Sequence, residues 1–131
     1  MISKELLSEV LGYTPFKIDK IKQVEGVGLT LILLNQDGTV RSYQNIYQLA
    51  HKCKEWAFYT YKISVSSFKS GSFYLKEFNQ IKDNSEYWVE LDTASIDCEI
   101  NIDDSGIFKS CSEPEAIFKA CQWILDNKGN K

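Results

Sequence analysis

Apolar residues recur at helical spacing in two capped segments of the chain. The first segment begins at Asn45, which suits a helix N-cap, and Gln48 follows three residues later, as in a capping box. One side of the resulting helix carries Ile46, Leu49, Ala50, Cys53, Trp56 and Ala57. This stripe predicts an amphipathic helix whose apolar side packs against a core.

The second capped segment lies near the C-terminus. It begins with the capping-box sequence Ser112-Glu-Pro-Glu115, and Pro114 occupies the first turn, where its missing N–H costs little. Its apolar stripe consists of Ile117, Ala120, Cys121 and Ile124, flanked by Phe118, Trp123 and Leu125. A face this broad predicts either deep packing within the chain or a homodimer interface. A short additional helix is predicted after Ser3, with Gly12 just past its end.

Alternating or continuous apolar runs predict strands between these helices. In the first half they are residues 16–24, which alternate weakly, residues 29–34, and residues 39–43 after a hairpin loop. In the second half they are residues 61–66, 73–78, 87–91 and 96–102, and residues 107–111 are predicted to pair back after a turn. The segment 96–102 alternates most strictly, with its isoleucines and Cys98 on one side.

The predicted element order is α-β-β-β-α-β-β-β-β-α. Short links between the strands imply mostly antiparallel pairing, and the helices are expected to cover the apolar face of one sheet. The sequence therefore predicts an α+β fold, and residues 1–131 are expected to form a single domain.

Composition is consistent with a small soluble domain. Hydrophobic residues make up 44% of the chain and aromatic residues 13%, which is enough to build a core. The longest apolar run is Leu31 to Leu34, far too short to span a membrane, and the N-terminus has no signal-peptide pattern. The four cysteines show no C-x-x-C spacing, so we expect small core residues in a reducing cytoplasm rather than disulfides or a zinc site.

The residues do not predict an enzyme. His51 is the only histidine, and its neighbour at i+4 is Glu55, a spacing typical of a solvated ion pair on a helix. Gly26 and Gly28 lead into a predicted strand, whereas a phosphate-binding loop leads into a helix. No cofactor and no metal site are therefore predicted.

Charge is unevenly distributed along the chain. Residues 1–82 contain 11 basic and 7 acidic residues, whereas residues 83–131 contain 4 and 11, which together give the net charge of −3. A stretch with no Lys or Arg carries six acids: Glu90, Asp92, Asp97, Glu99, Asp103 and Asp104. If they share the outer side of the sheet, they form a negative patch that suits a basic protein partner.

Two other surfaces remain alternatives. An aromatic pocket for a small nucleotide-like ligand could be lined by Tyr59, Tyr61, Tyr87, Trp88 and Trp123. Several lysines, at 17, 20 and 22, lie near Tyr13 and Phe16, a combination that can bind nucleic acid. The chain contains a single arginine, Arg41, so direct nucleic-acid binding is less favoured than protein binding.

The end of the chain resembles a known class of small proteins. A strand, the turn Asp103-Asp-Ser-Gly106, a second strand and the helix after Ser112 look like the end of phage and prophage proteins of the "ABA sandwich" type. The segment from Leu49 to Ala57 is similar to the helix that opens that domain, so the resemblance covers residues 45–128. It implies an α+β fold and a mobile-element origin, and it implies no catalytic residues. Together with the acidic stretch, it suggests a non-enzymatic phage or prophage protein that binds a host or phage protein, in a counter-defence or regulatory role.

Overall fold

The computed structural model describes residues 1–69, 86–93, 98, 100–103 and 105–128. Within these ranges the chain forms helices α1 to α3 and strands β1 to β7, and the strands make two antiparallel sheets. The predicted α+β class is confirmed. The predicted strand at 73–78 lies outside the described residues.

The first sheet is built around one long strand. The elements of this half are α1 (Lys4–Leu11), β1 (Lys17–Ile18), β2 (Lys22–Val24), β3 (Gly28–Leu34) and β4 (Val40–Asn45). Strands β1 and β2 both pair with one edge of β3, and β4 pairs with the other edge. The weakly alternating segment 16–24 is thus two short strands. Residues 19–21 separate them, and in this break the Asp19 side chain accepts a hydrogen bond from the N–H of Lys20.

The second half contains the longer helices and the second sheet. Its elements are α2 (Ile46–Tyr61), β5 (Ile63–Lys69), β6 (Tyr87–Thr93), β7 (Ile107–Ser110) and α3 (Glu113–Asp126). Strand β6 lies at the centre of the sheet, between β5 and β7. The strands therefore form two sheets, whereas the sequence predicted a single one. Alternation in a sequence shows which side of a strand is buried, but it does not show which strands are neighbours.

The strictly alternating segment 96–102 does not form the predicted strand in its described residues, Cys98 and 100–102. Ile100 is buried, and Cys98 and Ile102 pack against the core, so these side chains point inward as expected. Local hydrogen bonds replace strand pairing, since Asn101 accepts from the N–H of Asp103 and Cys98 donates to the carbonyl oxygen of Ile100. The other residues of the segment, 96, 97 and 99, lie outside the described residues.

Helix α2 connects the two halves. Its N-cap is Asn45, the last residue of β4, whose Oδ1 accepts hydrogen bonds from the N–H groups of Tyr47 and Gln48 at 3.0 and 3.1 Å. The amide of Asn45 also donates to the carbonyl oxygen of Val27, 2.6 Å away, in the turn before β3. Gly28, the first residue of β3, has a φ of 94°, and a Cβ there would lie 3.2 Å from the Asn45 amide nitrogen. Only glycine suits this position.

The core lies between the helices and the inner faces of both sheets. Helix α2 contacts strands of both sheets, and α3 packs on α2 and on the second sheet. Trp56 is buried, as expected, and its ring meets Tyr61 edge to face at 5.4 Å. Trp123 instead is half-buried at the margin of the core.

The broad apolar face of α3 is buried within the chain itself. Phe118 and Leu125, which flank its stripe, are both in the core. These contacts account for the breadth of the face, so it supplies no argument for the homodimer. The predicted cap of this helix is only partly present, because Ser112 makes no side-chain hydrogen bond to the helix.

Strand β7 is paired on one side only among the described residues, and α3 contacts it. The Nζ atom of Lys119 donates a hydrogen bond to the main-chain oxygen of Lys109 in β7, at 2.8 Å. Within the described residues no helix is long and apolar enough to span a lipid bilayer.

Candidate partner-binding surface

The two sides of β6 have opposite character. Tyr87, Val89 and Leu91 point towards the core, and Val89 and Leu91 are buried. Trp88, Glu90 and Asp92 point away from it, because successive side chains of a strand face opposite sides of the sheet. The first two acids of the predicted patch therefore lie on one outer face, two residues apart.

A third acid, Asp103, lies next to these two because of the turn before β7. Glu90 lies opposite Ile107 in the β6–β7 pairing, and the turn that precedes Ile107 places Asp103 beside it. All three acids are exposed. They line one open depression of about 400 Å³, whose wall also contains Leu91, Ile102, Ser105, Gly106 and Ile107. The remaining acids of the predicted patch, Asp97, Glu99 and Asp104, lie outside the described residues.

We call this feature the acidic depression; among the described residues, no basic side chain contributes to its wall. In the part of the chain that the structure describes, Glu90, Asp92 and Asp103 form no ion pair. Three uncompensated carboxylates produce a negative local potential that attracts a basic partner. Nowhere in the described ranges are three or more His, Cys, Asp or Glu side chains grouped so as to hold a metal ion.

The same outer face carries an aromatic row at its other end. Strand pairing aligns Phe68 of β5, Trp88 of β6 and Lys109 of β7 side by side. The rings of Phe68 and Trp88 meet at 6.0 Å, and the Lys109 ammonium lies 4.7 Å from the centre of the Trp88 ring. Phe68 is 40% exposed, and Ile107, between this row and the acids, is 41% exposed.

Phe68, Ile107 and Lys109 were not predicted as site residues. Each is unremarkable in its own segment of sequence, and only the register of three strands brings them together. The signal that could have identified them is that Phe68 and Trp88 both occupy outward-facing positions of their strands. A correct prediction that the two strands pair would have placed these side chains next to each other.

The five aromatic residues of the predicted ligand pocket do not line one cavity among the described residues. Tyr87 and Trp88 are adjacent in β6 and face opposite sides of the sheet. Tyr61 packs on Trp56, and Tyr59 is 75% exposed on α2.

Trp123 lines a different depression, of about 400 Å³, at the N-terminus of the chain. Phe108 and Phe118 form its apolar wall. The amino group of Met1 and Glu115 pair at 3.1 Å on its rim.

The His51–Glu55 pair has the geometry predicted from its spacing. The Nε2 atom of His51 lies 3.0 Å from a carboxylate oxygen of Glu55, and both side chains are mostly exposed on α2. Exposure of both partners is typical of a solvated helix pair.

The chain matches no protein-family model, no curated protein and no solved structure. The functional argument therefore depends on the surface itself.

Proposed function

We propose that this protein is a non-enzymatic binding protein that docks on a protein partner through the outer face of its second sheet. The acidic depression contacts a basic surface of the partner, and the aromatic row supplies apolar contact beside it. The observation that carries the proposal is the alignment of Glu90, Asp92 and Asp103 around one depression whose described lining contains no basic residue.

The composition of the face favours a protein partner. Protein interfaces combine aromatic residues at their centre with charged groups around them, and complementary charge accelerates association. Phe68 and Ile107 are the exposed apolar residues of this face, and Trp88 between the paired strands is half-buried. The three carboxylates would repel the phosphates of DNA or RNA, so a basic protein surface is the complementary one.

The wider setting follows from the resemblance of residues 45–128 to phage and prophage proteins. We infer that the protein acts in the cytoplasm of a host cell, where it binds a host or phage protein in a counter-defence or regulatory role. The fold alone does not select among these roles, because one fold supports many functions.

Neutralising the depression tests the proposal. The variant Glu90→Gln/Asp92→Asn keeps side-chain size at two exposed positions, so the fold should be retained. We expect quantitative affinity purification from host lysate to show partners whose capture by the variant falls about tenfold, equivalent to about 1.4 kcal/mol. Raising the salt concentration should weaken the same captures in the unaltered protein.

The matched control is Glu5→Gln/Glu25→Gln, which removes the same charge from exposed positions of α1 and of the turn before β3. Its capture profile should equal that of the unaltered protein. Equal profiles for all three proteins would show that the acidic depression is not the binding site.

A further inference from the structure

A second surface feature, remote in sequence from the acidic depression, has the opposite charge. Three segments meet around it: helix α1, the connection from α1 to β1, and the β3–β4 hairpin. They enclose an open groove of about 500 Å³. We call it the Arg41 groove, and the residues used below are Lys4, Tyr13, Phe16, Asn35, Gln36 and Arg41.

Arg41 is held in position by an aromatic ring. Its guanidinium carbon lies 4.3 Å from the centre of the Tyr13 ring, and the Tyr13 hydroxyl is hydrogen-bonded to Ser42 Oγ at 2.6 Å. A guanidinium stacked on a ring keeps its in-plane N–H donors available, and these donors match the oxygens of a phosphate. Arg41 forms no ion pair with a carboxylate of the described residues.

Lys4 supplies a second cation at the same groove. Its ammonium donates a hydrogen bond to the main-chain oxygen of Phe16 and lies 5.9 Å from the centre of the Phe16 ring. An ammonium has three donors, so two remain for an anion. The Phe16 ring is 56% exposed and offers a flat apolar surface next to both cations.

The opposite wall is a rigid hairpin loop with amide side chains. The N–H of Asn35 donates to the carbonyl oxygen of Thr39 at 2.8 Å, and its side chain donates to the Thr39 hydroxyl at 3.0 Å. The acid of this loop, Asp37, accepts hydrogen bonds from the N–H and hydroxyl of Thr39 and is not part of the groove lining. The residues that the structure describes in this lining include Lys4 and Arg41 and no acid, so their net charge is positive.

We propose that the Arg41 groove binds a nucleoside monophosphate. Arg41 and Lys4 would hold the phosphate through charge-assisted hydrogen bonds. The base would stack on Phe16, since aromatic side chains stack with bases of any sequence. Asn35 and Gln36 would supply amide donors and acceptors for the base edge. A groove of about 500 Å³ has the size of a small-molecule site.

The test uses the whole chain and AMP as the probe, with adenosine, inorganic phosphate and a short oligoadenylate in parallel titrations at low salt. We expect AMP to saturate with a dissociation constant of about 1 mM or below, and adenosine and phosphate to bind at least about tenfold more weakly. Amide and side-chain NMR shifts should change at Phe16, Gln36 and Arg41.

Two variants at exposed positions locate the site. Arg41→Lys keeps the charge but loses the planar donors, and Phe16→Ala loses the stacking surface, so each should weaken AMP binding about tenfold. The matched control Lys52→Gln removes an exposed positive charge from α2 and should leave AMP binding unchanged.

Several results would overturn the proposal. They are the absence of AMP saturation, shift changes confined to residues outside the groove, phosphate binding as tightly as AMP, and oligoadenylate binding without AMP binding. The last result would assign the groove to single-stranded nucleic acid. None of them bears on the acidic depression, because that site lies on the second sheet.

Discussion

Cys121 in α3 donates its thiol hydrogen to the main-chain oxygen of Cys53 in α2, with 3.6 Å between sulfur and oxygen. Both side chains are buried, and the small residues Ala50 and Ala57 of α2 and Ala120 of α3 are buried with them. Small residues allow two helices to approach closely, so the volume of the side chain at 121 limits how the helices pack.

Enlarging that side chain should destabilise the protein. We expect Cys121→Leu to lower the free energy of unfolding by about 1–3 kcal/mol, because a well-packed core does not accept extra methyl groups without strain. Urea unfolding followed by circular dichroism measures the change. The control is Cys111→Leu at an exposed position, which should change stability by less than about 0.5 kcal/mol. Comparable losses in both variants would contradict the close helix contact.

The four thiols should react with a maleimide in a fixed order. Cys111 is exposed, Cys98 is half-buried, and Cys53 and Cys121 are buried. The interaction with the Cys53 side chain, together with burial, raises the pKa of the Cys121 thiol well above its ordinary value, which lowers its thiolate fraction further. Mass spectrometry of the native protein should show modification of Cys111 first and Cys98 more slowly. Modification of Cys53 and Cys121 should require denaturant, and early labelling of either would disprove this packing.

The predicted N-caps of α2 and α3, Asn45 and Ser112, should contribute differently to the free energy of unfolding. Asn45→Ala removes two hydrogen bonds to the start of α2 and one to Val27, so we expect a loss of about 1–3 kcal/mol. Ser112→Ala removes no cap hydrogen bond and should cost less than about 0.5 kcal/mol.

Asn45→Asp separates the contributions of Asn45. It keeps the oxygen that caps α2 and loses the amide donor to Val27, so its stability should fall between those of the unaltered protein and Asn45→Ala. Thermal unfolding of the four proteins gives the ranking, and equal effects of the two alanine variants would contradict it.

Acid titration should report the hairpin loop at Asp37. The hydroxyl of Thr39, and then its N–H, hydrogen-bond to the carboxylate and hold the pKa of Asp37 below its ordinary value of 3.8. Because the pKa of Asp37 is lower in the folded than in the unfolded protein, its carboxylate stabilises the loop fully above the unfolded pKa. This stabilisation is lost as the pH falls through the folded pKa. Carbon-detected NMR should therefore give a midpoint below 3.8.

Thr39→Ala provides the control for that titration. It removes the hydroxyl donor, so the Asp37 midpoint should move upward towards the ordinary value. An identical midpoint in the two proteins would show that the Thr39 hydroxyl does not hold the carboxylate.

The helices were the part of the fold that the sequence predicted best. The buried residues of α2 are the six apolar positions expected from 3.6-residue periodicity. The prediction succeeded because the burial of each position depends on its spacing along one helix, which the local sequence contains. Pairing between strands is not local. The alternation at 96–102 correctly indicated that Ile100 points inward, but the described residues of this segment form local hydrogen bonds and no strand.

The surface features were predicted only where their residues are close in sequence. Glu90 and Asp92 are on the same strand, so their shared face followed from a period of two. The Arg41 groove combines residues from positions 4 to 41, and the single arginine was interpreted only as an argument against direct nucleic-acid binding. The stacking of Arg41 on Tyr13 depends on the register between β3 and β4, and amino-acid composition does not reveal that register.

The hydrogen bond from Lys119 to Lys109 has a consequence for solubility. An exposed strand edge offers unpaired carbonyl groups to other chains, and such edges seed aggregation. Here the Lys119 ammonium hydrogen-bonds a carbonyl oxygen of β7, a strand that is paired on one side only among the described residues. A second molecule that added a strand beside β7 would have to displace the Lys119 ammonium or desolvate its charge, so we expect this contact to disfavour edge-to-edge association.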